Sequence, residues 1–201
     1  MKIFLDTAVY EDIEKANQSG LIDGVTTNPS LILKSGGDPV ETIKKISGDF
    51  PFFESISAEV VADDALEMVD QAQAFKDLQN VTIKVPLTIE GLKACKLLTQ
   101  DGFTVNVTLC FSVAQAVLAA KAGATYISPF VGRVDDNSFE GIGLVKDIAN
   151  LYKEHMSRTQ VLAASLRNVK DVAQCFSVGA DVVTMPPAIF HKMYNHILTD
   201  K

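Results

Sequence analysis

The sequence has little with which to build a covalent or metal framework. Its three cysteines, Cys95, Cys110 and Cys175, are odd in number, far apart, and in neither CxxC nor CxH spacing. A disulfide scaffold and a zinc site are therefore not expected, and a reducing compartment suits this usage best. Histidine is equally sparse: His155 sits beside Lys153 and Glu154 in a helical segment, and His191 and His196 fall on different sides of the last one. No carboxylate–histidine spacing suggests a metal centre, so none is expected. Positive charge is short too. With Lys+Arg 18 against Asp+Glu 25, the net charge of −7 leaves no broad basic face for a nucleic-acid backbone or an anionic membrane. A few converging arginines could still hold a small anion. The start, Met1-Lys2-Ile3-Phe4-Leu5-Asp6, meets a carboxylate after three apolar residues, too few for a signal-peptide core, so a cytoplasmic location is expected.

One uncharged stretch, Gly102 to Ala120, is long enough to suggest a membrane helix. Its period changes midway, however. Thr104 to Thr108 alternates as a strand does, while Ser112 onward reads as a capped helix, and a membrane span is excluded on that ground. What the chain does have is core: 47% hydrophobic against 21% charged, with 12 Gly and 7 Pro in 201 residues, which excludes disorder and collagen-like structure.

Short β-branched runs recur along that core at Ile3 to Asp6, Val25 to Asn28, Glu54 to Val60, Val81 to Pro86, Thr104 to Leu109, Tyr126 to Phe130, Val161 to Ser165 and Val182 to Met185. Helix-length segments separate them. Their start signals include Asp38-Pro39-Val40-Glu41, Ser112-Val113-Ala114-Gln115 and Asn168-Val169-Lys170-Asp171, each a capping residue with a partner three positions on. Gly123 and Gly179 each stand where a helix would stop and an apolar strand begin. Eight strand–helix units of roughly 25 residues fit an α/β fold, a single (β/α)₈ TIM barrel over residues 1–201. The rival, an open doubly wound sheet, lacks its dinucleotide signature: Asp6-Thr7-Ala8-Val9-Tyr10 stands where Gly-x-Gly-x-x-Gly would. No linker or domain boundary is seen.

Alternation along the strands turns an unusual set of polar residues inward. If Ile3 and Leu5 face the helices, Asp6 faces the interior. The same parity turns in Thr26 and Asn28, Ser57 and Glu59, Thr82 and Lys84, Asn106 and Thr108, Ser128 and Phe130, and Ser165 and Arg167. Nearly all sit toward the carboxyl end of their strand, where barrel active sites are built. Lys84 carries the most information. Between Ile83 and Val85 on a buried strand, an ammonium is deprived of hydration, which favours the neutral amine that attacks carbonyl carbon. Asp6 and Glu59 on the same rim could move protons, and Arg133 and Arg167 could offer donor forks to a phosphate. Cys110, between Leu109 and Phe111, reads as an inert core thiol.

Eight blocks in order carry a family resemblance: Phe4-Leu5-Asp6-Thr7-Ala8, Gly24 to Leu31 (GVTTNPSL), Ser57-Ala58-Glu59-Val60, Ile83-Lys84-Val85-Pro86, Val105 to Leu109 (VNVTL), Ser128 to Arg133 (SPFVGR), Ala163 to Asn168 (AASLRN) and Val183 to Pro187 (VTMPP). In these the chain resembles the transaldolase family, in particular its small branch related to fructose-6-phosphate aldolase. The resemblance implies a (β/α)₈ barrel, no cofactor, phosphosugar substrates of the pentose phosphate pathway, and transfer of a dihydroxyacetone unit through a lysine Schiff base. It assigns the Schiff base to Lys84, proton removal to Asp6, and a catalytic water to Glu59 and Thr108. It gives the hydroxyls of the three-carbon unit to Asn28, Asn106 and Ser128, and the phosphate to Arg133, Ser165 and Arg167. Thr26, Ser57 and Phe130 complete the expected substrate site. The aldolase relatives carry Gln and Tyr where Glu59 and Phe130 stand, so the resemblance favours transferase over aldolase. Leu166 departs from a common Phe. Small members form decamers through the last helix, so a homo-oligomer is expected. Its segment, Pro187 to Leu198, shows an apolar stripe of Ile189, Phe190, Met193, Ile197 and Leu198 at helical spacing.

Overall fold

The computed structural model describes residues 1–199. Eight parallel strands close into a barrel in chain order: β1 (Lys2–Asp6), β2 (Gly24–Thr26), β3 (Ser55–Glu59), β4 (Val81–Pro86), β5 (Thr104–Cys110), β6 (Tyr126–Pro129), β7 (Gln160–Ala163) and β8 (Val182–Met185). The barrel shuts where β1 pairs with β8. Helices α1 (Tyr10–Asn17), α2 (Pro29–Ser35), α3 (Pro39–Asp49), α4 (Ala65–Ala72), α5 (Ile89–Gln100), α6 (Val113–Ala122), α7 (Val131–Asp136), α8 (Gly141–Glu154), α9 (Val169–Ser177) and α10 (Pro187–Lys192) connect them. Among the described residues no helix is long and apolar enough to cross a membrane. The uncharged stretch divides into β5 and α6, as its change of period requires.

The cap signals act as expected. Asp38 accepts the Glu41 N–H, Ser112 the Gln115 N–H and Asn168 the Asp171 N–H, each satisfying a donor that the first helical turn leaves unpaired. Gly123 (φ 90°) and Gly179 (φ 107°) take the left-handed conformation that ends α6 and α9.

Strand parity sorts the core into two populations. Leu5, Val25, Ile56, Ile83, Val85, Val105, Val107, Ile127, Val161 and Val183 pack outward against the helices. Phe4, Tyr126, Leu162, Ala164 and Val182 form a separate cluster within the barrel. Deep in the barrel, Ser55 bonds Thr82 at 2.8 Å and Thr82 bonds Thr104 at 3.1 Å. Near the amino-terminal end, Lys2 bridges Glu54 (2.5 Å) and Gln160 (2.9 Å), and Glu54 also accepts the Tyr126 hydroxyl. Apolar rings above and this ionic group below plug that end.

Four of the boundaries that differ from the sequence reading have a visible cause. β2 stops at Thr26 because Pro29 at the start of α2 makes Asn28 a helix cap. β6 stops at Pro129 because α7 begins at Val131 with Phe130 as its cap, although Phe130 keeps an isolated bridge to Ala164. β7 stops at Ala163, just before Ser165 turns left-handed at φ 60°. The last helix covers Pro187–Lys192, half the expected length. Beyond it, turns closed by the Asn195 N–H on the Lys192 carbonyl and the Thr199 N–H on the His196 carbonyl replace the helical ladder. Only Ile189 and Phe190 of the stripe are buried, while Ile197 is 79% and Leu198 68% exposed.

Candidate active site

The carboxyl ends of the strands surround a cavity of about 130 Å³. Asp6, Thr26, Asn28, Lys84, Asn106, Thr108, Ser128, Phe130, Arg133 and Ser165, ten of the expected residues, line it together with Leu162, Ala164 and Thr184. Its hydroxyl, amide and charged lining suits a polar ligand.

Lys84 is held on the interior because β4 alternates strictly: Ile83 and Val85 are wholly buried on the helix side, which turns the lysine inward. Its Nζ lies 2.9 Å from Glu59 Oε2 and donates to the Thr27 carbonyl at 3.2 Å. Register sets the first contact, since Glu59 of β3 pairs directly with Lys84 of β4. The Glu59 carboxylate is within hydrogen-bonding reach of the amine and so is positioned to exchange a proton with it.

Asp6 closes the opposite side of the cavity. It accepts from Thr26 at 2.8 Å, and Thr26 is in turn 2.6 Å from Thr184. Burial drives the Asp6 carboxyl above the usual 3.8, opposed by the Thr26 hydrogen bond and the Lys84 charge, with Glu59 adding a smaller upward push. On the third side Ser128 donates to Asn106 Oδ1 at 2.7 Å. That leaves Asn106 Nδ2 buried without a protein partner, and Thr108 Oγ1 likewise. Unpaired buried polar atoms lining a cavity are what a polar ligand or ordered water completes.

Several expected positions fall differently. Ser57 is buried but lines no part of the cavity: it pairs in register with Thr82, one layer below the Glu59–Lys84 pair, and its hydroxyl has no protein partner. Glu59 contacts Lys84 and is not part of the cavity lining. Asn28 reaches the cavity as the cap of α2; its Oδ1 is committed to the Leu31 N–H, so it has its amide nitrogen left to offer. Ser165 arrives by its left-handed backbone and not by parity, since Leu162 and Ala164 hold the inward positions of this strand.

Arg167 is not brought into the cavity: its side chain is outside the lining, half exposed, and paired with Asp136 at 2.5 Å. The left-handed Ser165 and buried Leu166 have already carried the chain off the barrel, and the Arg167 N–H is engaged by Asp171 at the start of α9. Arg133, at the cavity mouth, stacks its guanidinium carbon 4.9 Å from the centre of the Phe130 ring. Cys110 is buried and burial pushes its thiol up to about 11. A left-handed Leu109 (φ 64°) shifts the register there and turns Cys110 to the helix side.

Two polar contributors were not anticipated. Thr184 lies on the inward parity of β8 with Val182, so the alternation that flagged the other strands could have flagged it. Thr27 contributes only a backbone carbonyl, which no side-chain pattern reveals.

A closed (β/α)₈ barrel with a lysine, a carboxylate and a ring of hydroxyl and amide groups at the carboxyl end of its strands defines the class. Residues 3–201 match the family model described as transaldolase/fructose-6-phosphate aldolase. A probable transaldolase of Paracoccus denitrificans is 52% identical over 204 residues, covering 100% of this chain and 92% of that protein. One from Cereibacter sphaeroides (strain ATCC 17025) is 52% identical over 202 residues, covering 100% and 91%. A solved structure described as native KDPGal matches at TM-score 0.65 and 17% identity, over 90% of this chain and 80% of that one, a likeness of fold alone. The chain belongs to the transaldolase/fructose-6-phosphate aldolase family and is an enzyme of that family.

Proposed function

We propose that the protein is a transaldolase that moves a dihydroxyacetone unit between phosphosugars through a Schiff base on Lys84. The observation that carries this reading is the interior amine of Lys84, 2.9 Å from Glu59, in a cavity it shares with Asp6. An inert barrel core would not hold these groups.

The Lys84 ammonium gives a proton to Glu59, and the neutral amine attacks the keto carbon of fructose 6-phosphate or sedoheptulose 7-phosphate. Loss of water from the carbinolamine leaves a protonated imine, which accepts electrons. Asp6 removes the proton of the hydroxyl beyond the scissile bond; that oxygen forms a carbonyl, the carbon–carbon bond breaks, and its electron pair moves into the imine to give an enamine. An aldose phosphate leaves. The reverse steps on glyceraldehyde 3-phosphate or erythrose 4-phosphate complete the transfer. Asn28, Asn106 and Ser128 hold the three-carbon unit, Glu59 and Thr108 the water, and Arg133 and Ser165 the phosphate, with Arg167 available once released from Asp136.

The apolar Phe130 and acidic Glu59 favour transfer over release of free dihydroxyacetone, which is the second reading. We further propose that the chain works as one cytoplasmic catalytic domain in a homo-oligomer, a reading supported by the exposed Ile197 and Leu198. Incubation with fructose 6-phosphate and borohydride tests the chemistry: a three-carbon adduct on Lys84 is expected, and an adduct on another lysine overturns the assignment. Release of dihydroxyacetone without acceptor, as fast as transfer, would favour the aldolase.

A further inference from the structure

Among the described residues, Thr184 has one hydrogen-bonding partner, the Thr26 hydroxyl at 2.6 Å, and that partner is the one donor to Asp6. Thr184 is 4% exposed and lines the cavity, so its hydroxyl is buried at the reacting end without serving any backbone group. The direction of the chain follows from proton counting. An ionised carboxylate only accepts, so Thr26 must spend its single proton on Asp6. Thr184 must then be the donor in the short contact, which at 2.6 Å lies within the range of a good hydroxyl–hydroxyl bond.

Resting on the reading of Asp6 as the base, we propose that Thr184 is a positioning residue for carbon–carbon cleavage: it fixes the Thr26 proton on Asp6 and supplies the acceptor needed when Asp6 becomes protonated. In the first state the order is Thr184 to Thr26 to the Asp6 carboxylate, each bond polarising the next. When the substrate O–H breaks and its proton forms a new O–H bond on Asp6, the chain reverses by rotation of two hydroxyls. The Asp6 carboxyl can then donate to Thr26, and Thr26 to Thr184. No proton passes between residues. Thr26 alone could serve one protonation state fully but would lack an acceptor in the other.

The charged groups that face Asp6 are Lys84 from β4, which favours its ionised form, and Glu59 from β3, which opposes it. Neither changes in the test. Thr184→Val keeps the shape of the side chain and removes the hydroxyl; Thr184→Ser restores it. The expected result for Thr184→Val is unimpaired borohydride trapping on Lys84, cleavage of fructose 6-phosphate slowed on the order of tenfold, and the acid limb of kcat/KM moved to lower pH, because the protonated Asp6 loses its acceptor chain. Thr184→Ser should recover both rate and limb. Unchanged cleavage and acid limb in Thr184→Val, or no recovery in Thr184→Ser, overturns the proposal. So does parallel loss of trapping and cleavage, which would make Thr184 a packing residue. Wild-type protein that traps nothing on Lys84 would instead overturn the reading of the site on which this proposal rests.

Discussion

The Arg133 guanidinium covers the outer face of the Phe130 ring, 4.9 Å from its centre, while Phe111 meets the same ring edge-on at 5.9 Å. Phe130 is therefore clamped between a cation and a second aromatic ring, with its remaining surface toward the cavity.

A hydroxyl added to this ring has a fixed place to act from. Phe130→Tyr is expected to raise acceptor-free release of dihydroxyacetone and lower transfer to erythrose 4-phosphate, by helping water to protonate the enamine. Trapping on Lys84 should survive. Rates of the two reactions, measured side by side, check this; if neither changes, Phe130 does not govern the partition.

Asp6→Asn should keep imine formation and slow cleavage by roughly 10²-fold or more, the usual scale for a lost general base. It should also stabilise the fold at neutral pH. The Asp6 carboxyl holds its proton to a higher pH when folded than when unfolded, so its contribution is fully present below about 3.8 and is lost as pH rises through the folded value. At pH 7 the native chain therefore carries a penalty that the amide removes. Thermal melts should show Asp6→Asn higher than wild type at pH 7, on the order of 2–4 °C for each 1 kcal/mol gained, with the gap closing toward pH 4. A constant gap across that range would mean another cause.

The two arginines should separate. Arg133→Ala is expected to weaken phosphorylated donors far more than unphosphorylated ones, because its guanidinium stands at the cavity mouth. Arg167 is tied to Asp136, and an exposed pair of this kind contributes about 0.2–1 kcal/mol. Asp136→Asn should therefore lower KM for phosphorylated donors by up to about fivefold, and leave kcat unchanged. A rise in KM would show that the Arg167–Asp136 pair helps form the phosphate site.

All three thiols are buried, with burial pushing Cys95 and Cys175 up to about 12 and Cys110 up to about 11. Native protein at pH 8 should react with no thiol reagent, and denatured protein at three sites. Rapid labelling of one cysteine in the native state would contradict the packing.

The barrel and most of its site were legible because one rule, alternation by two, governs both. Lys84 and Asn106 follow it with neighbours held in register on both sides, and Thr108 and Ser128 follow it although the β5–β6 register shifts beside them. The rule failed where the backbone leaves the ladder. Ser165 and Arg167 lie past the end of β7, and their directions are set by a left-handed residue that alternation does not contain. Leu109 does the same to Cys110. The shortened α10 has a different origin: a periodic apolar stripe extends the helical pattern past Lys192, but the chain beyond it closes turns and leaves Ile197 and Leu198 exposed.

Lys2, Glu54, Tyr126 and Gln160, with Phe4, Leu162 and Val182 above them, make the barrel a tube stopped at one end. Traffic to Lys84 then has a single doorway. In the proposed transfer, a departing aldose has to clear that doorway before an incoming one can reach the enamine, so two sugars would not queue at the amine together. Initial rates for a donor and acceptor pair should plot as parallel double-reciprocal lines, and an excess of either aldose should slow turnover by occupying the doorway out of order.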